Sequence, residues 1–293
     1  MKEKIKEELN RIENEINSLN IRKEALIWTL NLDKEQSGLI NKSETYPVKG
    51  NLVDKDFIDL GEEVTIHHDD LGDIKFIVIG TDHDSPNSIT LLSKHIQRRF
   101  EFNETIMVEG VSGKTPILIN RYNNSTIRRW LNSTGDIWYS KEKESDIAPH
   151  YTNENPLLKG FDKNLVDNMI TVQKELFDVD TNEMNYIIDK VFLLSVKEYG
   201  LLNEITCSLN LIDGYTHEGM LYDYFRTETD HNIHQKYWTR TASESAGQVY
   251  YIDNTKKYTR IVLANSIDAF NGIRFAFCVP RDFYLKEIKK NEM

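Results

Sequence analysis

From residue 61 to residue 280 the chain alternates short apolar runs with turn-forming residues, and this alternation limits it to a sheet-rich fold. The runs are Glu63–His67, Asp73–Gly80, Ser88–Ser93, Val191–Leu194, Tyr237–Thr241, Gln248–Ile252, Arg260–Ala264 and Ile273–Val279. Each is too short for a stable helix, and most are rich in β-branched or aromatic residues. Helical signals are fewer. Ser125–Asn132 reads as a helix capped by Ser125 or Asn124, with Ile127, Trp130 and Leu131 on one face and Gly135 beyond its end. A second helix is expected from Asp162 to Phe177, where Leu165, Met169, Val172 and Leu176 are spaced 4-3-4. Residues 203–235 lack a period and read as a long loop region. The expectation is an α+β domain over 61–280, preceded by a polar linker over 31–60 and followed by a charged tail over 281–293.

The first thirty residues follow a different rule. Ile5, Leu9, Ile12, Ile16, Leu19, Leu26 and Leu30 form a heptad seam, with Lys23 at the one polar seam position. A stripe this narrow on a long helix needs a partner. Self-association through a coiled coil is expected, and the mixture of Ile and Leu at the seam leans toward three or more strands. The alternative is one amphipathic helix docked on its own domain.

Composition removes some functions. A net charge of −11 argues against nucleic acid as the partner, because phosphate binding needs a basic face. No run approaches the roughly 20 apolar residues of a membrane span, and Met1–Glu8 has no apolar region of a signal peptide. Neither membrane insertion nor secretion by a signal peptide is expected. Cys207 and Cys278 make no metal pattern, and Cys278 reads as a small buried hydrophobe.

Motif chemistry is sparse. Gly110-Val-Ser-Gly113-Lys114-Thr115 approaches a phosphate loop but has Val108 where the first glycine belongs, and Pro116 with the apolar residues after it suggests a strand. His67-His68-Asp69-Asp70 and the His217, Glu218, Asp230, His231 and His234 group are too loose for zinc. Asp213, Glu218, Asp223 and Asp230 match no calcium loop. No metal, cofactor or catalytic constellation is expected. Arg240 and Arg274 lie in apolar runs, where a guanidinium must find carboxylate or backbone oxygens; an internal network fixing loops to sheet is the favoured reading. Trp130 and Trp238 are expected to share that structural role.

Several phrases recur as a set: Leu91-Leu-Ser-Lys94, Ser125-Thr-Ile-Arg-Arg-Trp-Leu-Asn132, Val191-Phe-Leu-Leu-Ser195 with Glu198, Tyr237-Trp-Thr-Arg-Thr241 and Gly272-Ile-Arg274. Together they resemble a domain family of unknown function found in low-GC Gram-positive bacteria, their phages and prophages. The resemblance implies a C-type-lectin-like fold of the formylglycine-generating-enzyme variety. The enzymes of that kind use cysteines that Cys207 and Cys278 do not match, so the resemblance implies fold and context without catalysis. Phe275-Ala276 also replaces the Pro-Ala pair usual after the last phrase. The implied protein is displayed on the surface of a phage or phage-like particle and made in the bacterial cytoplasm. Its partners would be further copies of itself, other virion proteins and a host surface glycan or protein. Asp213, Tyr215, His217, Glu218, Tyr222, Tyr224, Asp230 and His231 are the candidate contacts. The alternative is a capsid, tail or baseplate decoration acting only through protein contacts.

Overall fold

The computed structural model describes residues 58–103, 106–110, 113–117, 120–135, 138, 154–205, 213–227, 235–244, 247–255, 260–265 and 271–292. The heptad seam from Ile5 to Leu30, with Lys23, lies outside the described residues, as do Cys207, Asp230, His231 and His234. In chain order the strands are β1 (Glu63–His68), β2 (Gly72–Thr81), β3 (Ser88–Ser93), β4 (Arg99–Phe100), β5 (Ile106–Gly110), β6 (Gly113–Ile117), β7 (Val172–Asp178), β8 (Glu183–Asp189), β9 (Val191–Phe192), β10 (Lys236–Ala242), β11 (Gln248–Asp253), β12 (Arg260–Asn265), β13 (Asn271–Gly272) and β14 (Ala276–Pro280). The helices are α1 (Thr126–Asn132), α2 (Lys163–Asn168), α3 (Asp223–Thr227) and α4 (Arg281–Phe283), the last continued by a π turn at Tyr284–Ile288 and a 3-10 turn at Lys289–Glu292. The architecture is mixed α/β, mostly sheet with few helices. Among the described residues, no helix is long and apolar enough to cross a membrane.

Two five-stranded sheets organise the chain, in the orders β1-β2-β3-β14-β9 and β12-β11-β10-β13-β4, beside the hairpins β5-β6 and β7-β8. The first sheet is apolar on both faces, which explains why its strands read as continuous apolar runs. Along β2, Ile74, Phe76 and Val78 enter one core cluster while Ile77 and Ile79 enter another. The same alternation sends Phe277 and Val279 of β14 to the first cluster and Ala276 and Cys278 to the second. Cys278 is fully buried. The strand pairing is antiparallel from β1 through β14 to β9. The segment that approaches a phosphate loop is the β5-β6 hairpin, with Gly110 paired to Gly113.

The phrase at 125–132 has a physical reading at each position. Ser125 Oγ caps α1 by accepting the Arg128 N–H at 3.1 Å. Arg128 holds Asp189 at the end of β8 through Nε at 2.8 Å and Nη2 at 2.8 Å. Trp130 is buried and donates from Nε1 to the Asn155 carbonyl at 2.9 Å. Asn132 Oδ1 accepts the Lys190 and Val191 N–H groups at 3.0 and 3.1 Å, and its Nδ2 donates to the Val191 carbonyl at 2.7 Å. One short helix therefore fixes the strand that leads into the first sheet.

Two expectations are corrected. The helix from Asp162 does not reach Phe177: α2 ends at Asn168, and Val172–Asp178 is β7. Leu165 belongs to α2 and Met169 ends it, whereas Val172 and Leu176, four apart, also fit a strand in which Val172, Lys174 and Leu176 face inward, and the β8 partner decides the matter. Lys174 hid the alternation because it is a cation on the buried face. The residues after Pro280 do more than carry charge. Tyr284 and Ile288 are buried in the first core cluster, and Tyr284 donates to Glu62 Oε1 at 2.7 Å.

Candidate functional site

The second face of the first sheet carries a buried charge cluster. Its members come from four separate stretches: Asp84 from the β2-β3 connection, Lys174 from β7, Glu198 from the turn after β9, and Arg240 from β10. Lys174 Nζ bonds to Asp84 Oδ1 and, at 3.1 Å, to Glu198 Oε1. Arg240 Nη1 bonds to Glu198 Oε2 and donates to the Leu193 carbonyl at 2.9 Å. Two cations thus face two carboxylates, and all four side chains are almost fully buried.

Local sequence sets up each partner. Ser195 and Glu198 form a reciprocal capping box: Ser195 N–H donates to Glu198 Oε2 at 3.0 Å, and Glu198 N–H donates to Ser195 Oγ at 3.1 Å. Gly219 lies against the Glu198 carboxylate with φ +86°, and a Cβ there would stand 2.5 Å from Oε1. Only glycine supplies both that backbone conformation and that clearance. Asp84 Oδ2 accepts from Thr90 Oγ1 at 2.7 Å and from the Tyr222 hydroxyl at 2.8 Å. Lys174 also donates to the Tyr222 oxygen at 2.9 Å and stands 4.1 Å from the centre of the Phe192 ring.

The electrostatics follow from these contacts. Burial alone would raise the Asp84 carboxyl, but Lys174 beside it overrides burial and holds it well below the usual range. Glu198 is likewise lowered, because Arg240 and Lys174 outweigh its burial. Burial would lower Lys174, yet Glu198 and Asp84 raise it above an ordinary lysine. The Cys278 thiol, 3.3 Å from Asp84 Oδ2, is pushed up by burial and by that carboxylate. The Tyr222 hydroxyl is raised for the same two reasons. At neutral pH the acids are ionised, the lysine is charged, and the thiol and phenol keep their protons. No member of the cluster is poised to exchange a proton or attack as a nucleophile.

Above this cluster lies a solvent-open cleft of about 340 Å³, lined by His83, Asp84, Gln173, Lys174, Glu175, Lys197, Glu198, Thr216, His217, Gly219 and Met220. Its floor is the neutralised cluster. Its walls carry polar groups: Gln173 and His217 are exposed, and Glu175 is half-buried. His83 stacks on Tyr222 with ring centres 3.9 Å apart, and burial lowers its pKa. Lys197, also lowered by burial, donates to the Thr216 carbonyl and ties the 213–220 loop to the wall.

The sequence candidates are distributed unevenly around this cleft. His217 lines it. Tyr222 and Glu218 lie beneath it, fully buried: Glu218 accepts from Phe177 N–H at 3.0 Å and Thr241 Oγ1 at 2.6 Å, and burial raises its pKa. Tyr215 is buried and donates to the Ala242 carbonyl at 2.7 Å. Asp213 is exposed and Tyr224 half-buried, with neither among the cleft-lining residues. Asp230 and His231 lie outside the described residues. Trp238 and Arg240 are fully buried, and Arg274 is 2% exposed and donates to the Ser93 carbonyl at 2.8 Å.

Sequence reasoning did not single out Asp84, Lys174 or Gln173. Within the cluster, Arg240 was marked by its apolar run and Glu198 by the Ser-x-x-Glu spacing from Ser195. Among the described residues, no group of three or more His, Cys, Asp or Glu comes together as metal ligands.

Residues 88–281 match a family described as a domain of unknown function, DUF6273. The chain belongs to the DUF6273 family. No curated protein and no solved structure matches it. The DUF6273 match begins at β3 and ends at the first residue of α4, so it takes in β7, the Glu198 turn and β10. Asp84 lies four residues before it.

Proposed function

We propose that this DUF6273 domain is a non-catalytic recognition module that binds a surface glycan in the cleft above Lys174. The observation carrying the proposal is a polar cleft whose floor charges neutralise one another. Its exposed Gln173 and His217 and half-buried Glu175 remain for a ligand rich in hydroxyl and amide groups. Ionised acids, a charged lysine and a protonated thiol and phenol suit rigid positioning better than proton transfer. The lectin-like fold, the setting on a phage or phage-like particle and the association of copies through the N-terminal seam belong to the same proposal. Their support is the set of phrases between Leu91 and Arg274 and the heptad spacing from Ile5 to Leu30. Several copies would multiply a weak affinity for a repeated glycan.

A glycan array probed with the full chain and with a Gln173→Ala/His217→Ala variant tests the binding reading. Binding by the wild type that the variant loses supports it; undiminished binding by the variant, or none by either protein, sinks it. Antibody-gold labelling of induced particles tests the setting. Gold at a tail tip or fibre supports host recognition, and gold on the capsid or along the tail assigns the protein to decoration.

A further inference from the structure

Large exposed apolar side chains are few among the described residues: Leu60, Tyr186, Ile188 and Met220. Three of these four belong to the cleft and its flank. Met220 is part of the lining and is 62% exposed. Tyr186 and Ile188 stand on β8, 59% and 66% exposed. In the β7-β8 register Tyr186 pairs with Glu175 and Ile188 with Gln173. Residues directly opposite in an antiparallel pair point to the same side, with Cβ atoms about 5 Å apart. Glu175 and Gln173 are cleft-lining residues, so the apolar strip on β8 continues the cleft wall outward.

We infer that the cleft and this strip form one extended subsite for a linear oligosaccharide of N-acetylated sugars, with two units in the cleft and the next lying on Tyr186. The inference rests on the glycan-binding reading above. The occupant follows from the composition of the surface. An acetamido sugar presents an amide donor, a carbonyl acceptor, a methyl group and an apolar ring face. The Glu175 carboxylate accepts from the amide donor, the Gln173 amide donates to the carbonyl, and Met220 and the Tyr186 ring meet the methyl group and the ring face. A protein partner would need a wider apolar centre with few charges, and here Tyr186 and Ile188 lie directly across from Glu175 and Gln173. Asn185 is turned to the opposite side of β8 and bonds to Asp178 Oδ2 at 3.4 Å, so it leaves the strip to Tyr186 and Ile188.

The test is calorimetric titration of the full chain with β-1,4-linked N-acetylglucosamine dimer and hexamer. Wild type, Tyr186→Ala, Tyr186→Trp and Gln173→Ala/His217→Ala are compared. The hexamer is expected to bind wild type roughly five- to tenfold more tightly than the dimer, the scale of one added aromatic contact. Tyr186→Ala should abolish that ratio and leave dimer affinity unchanged, and Tyr186→Trp should restore it. The same ratio in Tyr186→Ala and wild type, or no ratio in wild type, overturns the strip while leaving the cleft reading in place. Failure of both oligomers to bind wild type overturns the cleft reading for this class of sugar, and the strip with it. Mass is followed by light scattering: a fall in oligomer size on Tyr186→Ala would make the strip a contact between copies and overturn the proposal.

Discussion

Arg240 and Arg274 are both buried arginines in or beside strands of the second sheet, yet they are compensated in different ways. Arg240 meets a carboxylate, Glu198, and the Leu193 carbonyl. Arg274 meets the Ser93 carbonyl and the rings of Tyr237 and Tyr199, whose centres are 5.6 and 6.0 Å from its guanidinium carbon. The first is a closed ion pair that also binds Lys174 and Asp84 into a neutral cluster. The second is a cation held by carbonyl and π electrons, with no buried anion depending on it among the described residues. A buried carboxylate left behind is costly, whereas aromatic faces remain content without their cation. The contrast separates a region built to carry a cleft from one built to pin β13 to β3.

Substitution breaks the two regions unequally. Arg240→Met leaves Glu198 with Lys174 as its remaining cation and should cost about 3–5 kcal/mol in urea unfolding. Arg274→Met should cost less, about 1–3 kcal/mol, because it removes a hydrogen bond and a cation–π contact and orphans no charge. Equal losses would erase the distinction.

Acid sharpens it. Asp84 and Glu198 have folded pKa values below their unfolded ones, so their contribution is present above the ordinary carboxylate range and disappears as pH falls below about 4. The Arg240→Met variant, with Glu198 less well compensated, should lose less on acidification than Arg274→Met. His68 acts in a higher window. Its Nε2 bonds to the Leu157 carbonyl at 2.9 Å and its Nδ1 accepts from Asp70 and Leu71 N–H, so the ring is held neutral. Burial lowers its pKa, Asp69 and Asp70 partly oppose this, and Arg98 reinforces it. The stability it lends is present above about pH 6.5 and is lost as pH falls through its folded value. His68→Gln should therefore flatten the stability change between pH 7 and pH 5; His83 and His95, also lowered by burial, still titrate in both proteins.

Smaller effects lie at the edges. Ser125→Ala removes the α1 cap and should cost about 1 kcal/mol. Gln173→Ala and His217→Ala, on exposed cleft walls, should each shift stability by less than about 0.5 kcal/mol. A larger loss there would mean that the walls are structural, like the floor.

The legible parts of the chain were those decided locally. Ser125 announced its cap, and β10, β11 and β14 announced themselves as apolar runs between turn residues. The buried guanidiniums of Arg240 and Arg274 found oxygens, as an apolar neighbourhood requires. The cluster stayed hidden because its members are 90 and 24 residues apart in sequence, as Lys174 is from Asp84 and Glu198. β7 was hidden by its own chemistry: a buried lysine reads as surface until its two carboxylates are found. Tyr215 and Tyr222 drew attention as loop aromatics, and packing placed both inside.

Calorimetric titration of wild type and Gln173→Ala/His217→Ala with the N-acetylglucosamine hexamer tests the central claim most directly. The account predicts saturable binding by the wild type and at least a tenfold loss in the double variant, the scale of two lost polar contacts of about 0.7 kcal/mol each. Equal binding by both proteins, or none by the wild type, would contradict it.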